Sequence, residues 1–277
     1  MARSLDGGAV IVTGASLGVG LATAQALARA GAHVVLVARR PEPLQEALAT
    51  LDGGAERHLV MATDVGDGAA LQALVDATVQ RFGRLDGLVN NAGAHFRGPA
   101  LNQPADKLAT MVDVNLRAPI ALSRMALPHL VQTQGFIVNV ASLAGRLPLD
   151  GAATYSATKF GLRAFSLALR EEVRDQGVDI CVVSPGPIDT GFILDDIDQV
   201  DDIVFSQAMC SAEHVADMIL DCARDGAAER AWPPTGAKLA TLSYLVPGLR
   251  RKLKPLLKRK GARTKERLKR EGRTGPQ

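Results

Sequence analysis

Ala9-Val10-Ile11-Val12-Thr13-Gly14-Ala15-Ser16-Leu17-Gly18-Val19-Gly20 decides the fold of this 277-residue chain. Ala9 to Val12 reads as a short buried strand, and the alanine-rich run from Leu21 to Ala30 as a helix. The turn between them holds three glycines, which let the backbone bend tightly and approach a ligand closely. The unpaired N–H groups and positive dipole at the helix start favour a pyrophosphate. Strand-like apolar runs recur at Val34 to Val37, Leu59 to Ala62, Gly87 to Asn90, Phe136 to Val140 and Asp179 to Ser184, alternating with helical periodicity. That alternation predicts one Rossmann-type α/β domain, a doubly wound parallel sheet with helices on both faces. With 47% hydrophobic and 22% charged residues, the chain can bury one sizeable core.

A second signal lies at Tyr155 and Lys159. A spacing of four puts both on one helical face, an ammonium beside a phenol. A free phenol titrates near about 10 and exchanges protons poorly at neutral pH, so a neighbouring cation that stabilises the phenolate activates it. Ser142 precedes this pair, and Asn90-Asn91-Ala92-Gly93 follows the fourth apolar run.

Taken in order, Gly14, Gly18 and Gly20, the Asn-Asn-Ala-Gly stretch, Ser142, Tyr155 and Lys159 resemble the short-chain dehydrogenase/reductase family from about Gly8 to about Gly226. The resemblance implies that Tyr155 is the catalytic acid or base. Lys159 lowers its pKa and holds the nicotinamide ribose, Ser142 orients the substrate oxygen, and Asn115 maintains a proton-relay water. It also implies cofactor contacts from Gly14, Ser16, Leu17, Gly18, Val19 and Gly20, from Asp64 and Val65 near the adenine, and from Asn91, Ala92 and Gly93 beneath the cofactor. Pro185, Gly186, Ile188 and Thr190, after the sixth run, are expected at the nicotinamide carboxamide.

The second strand ends in Ala38-Arg39-Arg40. An acidic residue at position 38 would accept hydrogen bonds from a ribose; a guanidinium next door instead suits a 2′-phosphate, which predicts NADP(H). Cys181, Cys210 and Cys222 show no metal-like or redox-like spacing, and the five histidines form no ligand motif, so no metal is expected. No long apolar run or leader-like start is present, and the expected location is cytoplasmic.

Residues 1–230 are expected to form the catalytic domain, with a substrate lid over about 191–211. The lid interleaves Phe192, Ile193, Leu194, Ile197, Val204, Phe205 and Met209 with Asp195, Asp196, Asp198, Asp201 and Asp202. Its apolar residues suit a lipophilic carbonyl compound; its aspartates disfavour an anionic one or form the wet face. His95 either reaches the pocket or, as expected here, is an exposed loop residue. Residues 231–277 form a distinct extension, with thirteen Lys or Arg against two Glu from Pro247 onward. Leucines among these cations suggest peripheral contact with an anionic membrane, or else a solvated tail. No stacking aromatics accompany the charge, and nucleic acid is not an expected partner. Arg230 to Pro234 departs from the glycine-containing terminal strand of tetrameric relatives, which favours a homodimer through the long helices, roughly 105–132 and 152–176.

The expected activity is hydride transfer between NADP(H) and a carbonyl or secondary alcohol. A 3-oxoacyl thioester or 3-keto sphingoid base reductase is the alternative within the class. A non-catalytic, membrane-tethered nucleotide-binding scaffold is the alternative outside it, and the complete set of Asn115, Ser142, Tyr155 and Lys159 argues against it.

Overall fold

A computed structural model describes residues 2–271. The chain runs β1 (Ala9–Thr13), α1 (Gly18–Arg29), β2 (His33–Ala38), α2 (Pro41–Ala49), one-turn α3 (Gly54–Arg57) and β3 (Leu59–Ala62). It continues through α4 (Gly68–Phe82), β4 (Gly87–Asn90), α5 (Ala105–Val112), α6 (Ala118–Thr133), β5 (Phe136–Val140) and α7 (Ala153–Glu172). β6 (Asp179–Pro185), short α8 (Gly191–Leu194), α9 (Ala212–Asp225), β7 (Glu229–Trp232), α10 (Pro234–Leu245) and α11 (Pro247–Arg270) complete it. All seven strands are parallel, in the order β3-β2-β1-β4-β5-β6-β7.

Period-two alternation builds the two layers of the core. Val10, Val12, Val34 and Leu36 face one side, where Leu27 of α1, Leu44 of α2 and Ile219 of α9 cover them. Ile11, Val35 and Val37 face the other, against Leu71 and Leu74 of α4, Leu122 of α6 and Leu169 of α7. Both faces are therefore dry, which explains why the strands read as unbroken apolar runs. The strand order switches direction between β1 and β4, so the crevice for a ligand opens at the carboxyl ends of those strands.

Six strands coincide with the apolar runs to within a residue at each end. The seventh corrects the reading of 230–234 as a departure from a terminal strand: Arg230 pairs with Val183 and Trp232 with Pro185. Glu-Arg-Ala-Trp carries no apolar run because β7 is an edge strand whose four residues are only half-buried. The expected single helix over 105–132 is also interrupted, by a π-helical turn at Asp113–Arg117.

Residues 191–206 pack with the chain's end as a third cluster, in which Leu268 of α11 is buried among Ile193, Leu194, Ile197, Val200 and Phe205. Gly261 permits this approach: a Cβ there would lie 1.7 Å from the carbonyl oxygen of Asp202.

Candidate active site

Gly14 and Gly18 have φ of +69° and +56°, which a side chain would strain. Gly20 is needed for a different reason, since a Cβ on it would sit 2.0 Å from the Gly14 oxygen. Asn91 ties this loop to the end of β4, its amide donating to the oxygens of Thr13 (2.9 Å) and Gly14 (3.3 Å). The Thr13 hydroxyl in turn accepts from the backbone N–H groups of Asn91 and Ala92, each at 3.0 Å. Asn91 thus shapes the cradle with its side chain. Leu17 occupies the N-cap of α1 without a capping side chain, no acidic residue stands in the first turn, and Ser16 lies beside it, half-buried. The helix start is left to attract an anion.

Around this loop, Arg39 and Arg40 lie exposed directly beyond β2. Asp64 is exposed after β3, bent back so that its carboxylate accepts from Gly66 N–H (2.9 Å), while Val65 is buried. Beyond β6, Gly186 N–H donates to the Trp232 oxygen at 2.7 Å, and Ile188 bridges to Cys210. That turn carries Thr190 over the glycine loop, its methyl 3.6 Å from where a Gly18 Cβ would be. A tight glycine turn, an uncapped helix start and two exposed guanidinium groups thus follow the carboxyl ends of β1 and β2.

Asn115 and Lys159 come together at Gly93, with Tyr155 one turn before Lys159 on α7 and Ser142 beside it. The π-helical turn carries buried Asn115, whose Oδ1 accepts from Ala94 N–H (2.7 Å) and whose amide donates to the Ala94 oxygen (2.8 Å). Such turns widen a helix locally and re-aim a side chain. A Cβ on Gly93 would lie 3.5 Å from Asn115 Oδ1 and 3.9 Å from Lys159 Nζ, so this glycine leaves both atoms approachable. Lys159 is buried and donates to the Val140 oxygen at 2.9 Å; desolvation lowers its pKa to about 8. Ser142 hydrogen-bonds the Tyr155 phenol and also accepts from Ala144 N–H at 3.1 Å. The Tyr155 pKa is raised: burial outweighs the opposing effects of the Ser142 hydrogen bond and the Arg97 charge. The Lys159 ammonium lies 5.8 Å from the phenol ring centroid and donates to the Val140 oxygen.

Of the two readings of His95, the structure shows the one that reaches the site, not the exposed loop residue. Its imidazole is half-buried and stacks on the Tyr155 ring, centroids 4.1 Å apart at 11°. Burial, with the charges of Arg97 and Lys159, pushes its pKa down to about 3. Arg97 follows it into the site, Nη1 donating to His95 Nδ1 at 3.0 Å and Nη2 to the Phe192 oxygen. No motif or periodicity marked Arg97; proximity to Asn90–Gly93 was its only sequence signal.

The basic extension meets the lid rather than standing apart from it. Lys258 pairs with Asp201 (2.8 Å), Lys265 with Asp202 (3.3 Å), Lys269 with Asp198 and Lys254 with Asp150. Lys254, Leu257, Lys258, Gly261, Lys265 and Leu268 form the inner stripe at helical spacing. The expected membrane contact would have to use the outer face, where Arg251, Lys252, Lys260 and Arg263 are exposed with Leu256. Among the described residues, no helix is long and apolar enough to cross a membrane.

The sequence profile of the short chain dehydrogenases matches residues 8–199. A ketoacyl reductase, HetN, of Nostoc is 36% identical over 194 residues, covering 69% of this chain and 68% of its own. Serine 3-dehydrogenase of Rhizobium radiobacter is 36% identical over 188 residues, with coverage of 68% and 74%. A metagenomic short-chain oxidoreductase solved with NADP superposes with a TM-score of 0.70 at 30% identity, covering 83% of this chain and 98% of that one. The matched region contains the glycine loop, Asn115, Ser142, Tyr155 and Lys159, and the chain belongs to the short-chain dehydrogenase family of oxidoreductases.

Proposed function

We propose that the protein is an NADP(H)-dependent oxidoreductase interconverting a carbonyl group and a secondary alcohol, with Tyr155 as its proton-transfer residue. The observation that carries this reading is buried Lys159 one turn beyond Tyr155 on α7, its Nζ and the Asn115 Oδ1 both approaching Gly93 at the end of the Asn-Asn-Ala-Gly stretch. NADP(H), when bound, supplies or accepts hydride at its nicotinamide ring. Gly14 to Gly20 and the start of α1 would hold its pyrophosphate, Arg39 and Arg40 its 2′-phosphate, and Asp64 and Val65 its adenine end. Gly93 and Lys159 would border its nicotinamide ribose, and Pro185 to Thr190 its carboxamide. The NADP-bound relative supports this choice of cofactor.

Ser142 polarises the substrate oxygen and Tyr155 delivers a proton to it during reduction. The raised pKa keeps the phenol protonated at neutral pH, the state from which a proton is donated. Oxidation needs the phenolate, and the Lys159 ammonium is the cation positioned to favour it. Asn115 fixes the Gly93-Ala94 backbone beneath these groups. The half-exposed Phe192 and the His95–Tyr155 stack provide apolar walls for a lipophilic substrate, and residues 191–211 form its lid. The ketoacyl reductase among the relatives supports a 3-oxoacyl compound as the narrower substrate class.

The test is NADPH consumption with 3-oxo acids, their esters and lipophilic ketones by wild type and Tyr155→Phe. Positioned acid–base groups contribute about 10² to 10⁴ in rate, and the variant should lose that factor while binding NADPH normally. Near-normal turnover by Tyr155→Phe would overturn the assignment.

A further inference from the structure

Arg97 and His95 hold two donors that nothing among the described residues satisfies. The guanidinium has only donors, so His95 Nδ1 must accept from Arg97 Nη1 across their 3.0 Å contact. The neutral imidazole then carries its hydrogen on Nε2. That atom is buried and has no partner, and so is Arg97 Nε. Leaving a buried donor unpaired forfeits its hydration without return, so native structures rarely keep one unless water, an ion or a ligand completes it. Here two occur in neighbouring side chains, one stacked directly on Tyr155.

The surroundings favour an anion as the acceptor. Arg97 uses one N–H on His95 and one on the Phe192 oxygen, leaving its Nε edge in the fork geometry that binds a carboxylate. Asp196 is the carboxylate within charge range of Arg97. Of the other lid aspartates, Asp198, Asp201 and Asp202 are paired with Lys269, Lys258 and Lys265, which offsets the repulsion they would exert. With Asp198, Asp201 and Asp202 offset by α11, Arg97 remains an attractive charge one imidazole ring away from the phenol.

We infer that Arg97, held by His95, is a specificity-determining residue that recognises a carboxylate on the substrate, making short 3-oxo and 3-hydroxy carboxylic acids the preferred substrate class. This rests on the assignment of Tyr155 as the proton-transfer residue and adds an anionic end to a substrate whose body meets Phe192. His95 is the positioning residue: it presents its Nε2–H beside the reacting oxygen and its Nδ1 fixes the guanidinium.

Two matched probes test this, 3-oxobutanoate and its methyl ester, which differ in the carboxylate charge. Wild type should favour the acid in kcat/KM, and Arg97→Met should lower the acid-to-ester ratio ten- to a hundredfold, the loss of a charge-assisted bidentate contact. Arg97→Lys should restore part of the ratio. Turnover of both probes with no preference for the acid, or an unchanged ratio in Arg97→Met, would overturn the carboxylate site while leaving the oxidoreductase assignment intact. Calorimetric titration of 3-hydroxybutanoate into the NADP⁺-bound protein gives a readout independent of turnover. Binding by wild type that is lost in Arg97→Met supports the site, whereas no binding, or equal binding to both, rejects it.

Discussion

Gly261→Ala sets a local preference against a packing requirement, and the structure decides the sign. In an isolated helix the change stabilises by about 1 kcal/mol. In α11 the new Cβ would lie 1.7 Å from the Asp202 oxygen, 2.6 Å from its carbonyl carbon and 3.1 Å from Ser206 N. All three are backbone atoms that cannot rotate aside, so α11 must lift away from the lid. Lifting exposes Leu268, now 3% accessible, and releasing a buried leucine costs about 2 to 3 kcal/mol. The Lys258–Asp201 and Lys265–Asp202 pairs are partly exposed and add roughly 0.2 to 1 kcal/mol each. Packing wins, for a net destabilisation of about 2 kcal/mol. Thermal denaturation of Gly261→Ala should show a midpoint lower by roughly 4 to 8 °C. Gly248→Ala, in the same helix, adds a Cβ that meets nothing within 4 Å and should not lower it. If Gly261→Ala were as stable as wild type or more so, the docked arrangement of α11 on the lid would be refuted.

Two further outcomes follow from charges at the sheet's ends. Glu229 accepts from both Arg163 Nε and Nη2 at 2.8 Å, pairs with Arg146 at 2.8 Å and accepts from Ser184 at 3.0 Å. Burial opposes its ionisation, but the Arg163 hydrogen bonds and the Arg146 charge outweigh it and hold the carboxyl below its usual range. A depressed folded pKa stabilises above the unfolded value of about 4.3 and is lost as pH falls through the folded one. Urea denaturation of Glu229→Gln should therefore show a deficit of about 2 kcal/mol at pH 7 that narrows below about pH 4.3; a gap independent of pH would contradict the ion-pair account. For the cofactor, Arg39→Ala should narrow the preference for NADPH over NADH by ten- to a hundredfold in binding titrations, and equal wild-type affinities would reject the phosphate clamp.

The sheet was legible because strands buried on both faces must be apolar throughout, as Val34 to Val37 and Phe136 to Val140 are. β7 was hidden for the converse reason, since Glu229 and Arg230 spend their side chains on ion pairs at the sheet's edge. Ser142, Tyr155 and Lys159 were readable from spacing and order, whereas the π-helical turn that aims Asn115 has no local signature. His95 and Arg97 could not be placed, because their burial depends on Phe192 folding back from a lid almost a hundred residues later. The docking of the basic tail is hidden for a similar reason: its charge is conspicuous, but its complement lies in the separate aspartate-rich segment 195–202.

Transfer of deuterium from NADPH carrying deuterium at both C4 positions to the alcohol carbon of the product, followed by mass spectrometry, tests the proposed activity most directly. The account predicts one deuterium in the hydroxyl product of 3-oxobutanoate made by wild type, and little product from Tyr155→Phe that still binds NADPH. Product without deuterium, or equal labelled product from both proteins, would contradict hydride transfer assisted by Tyr155.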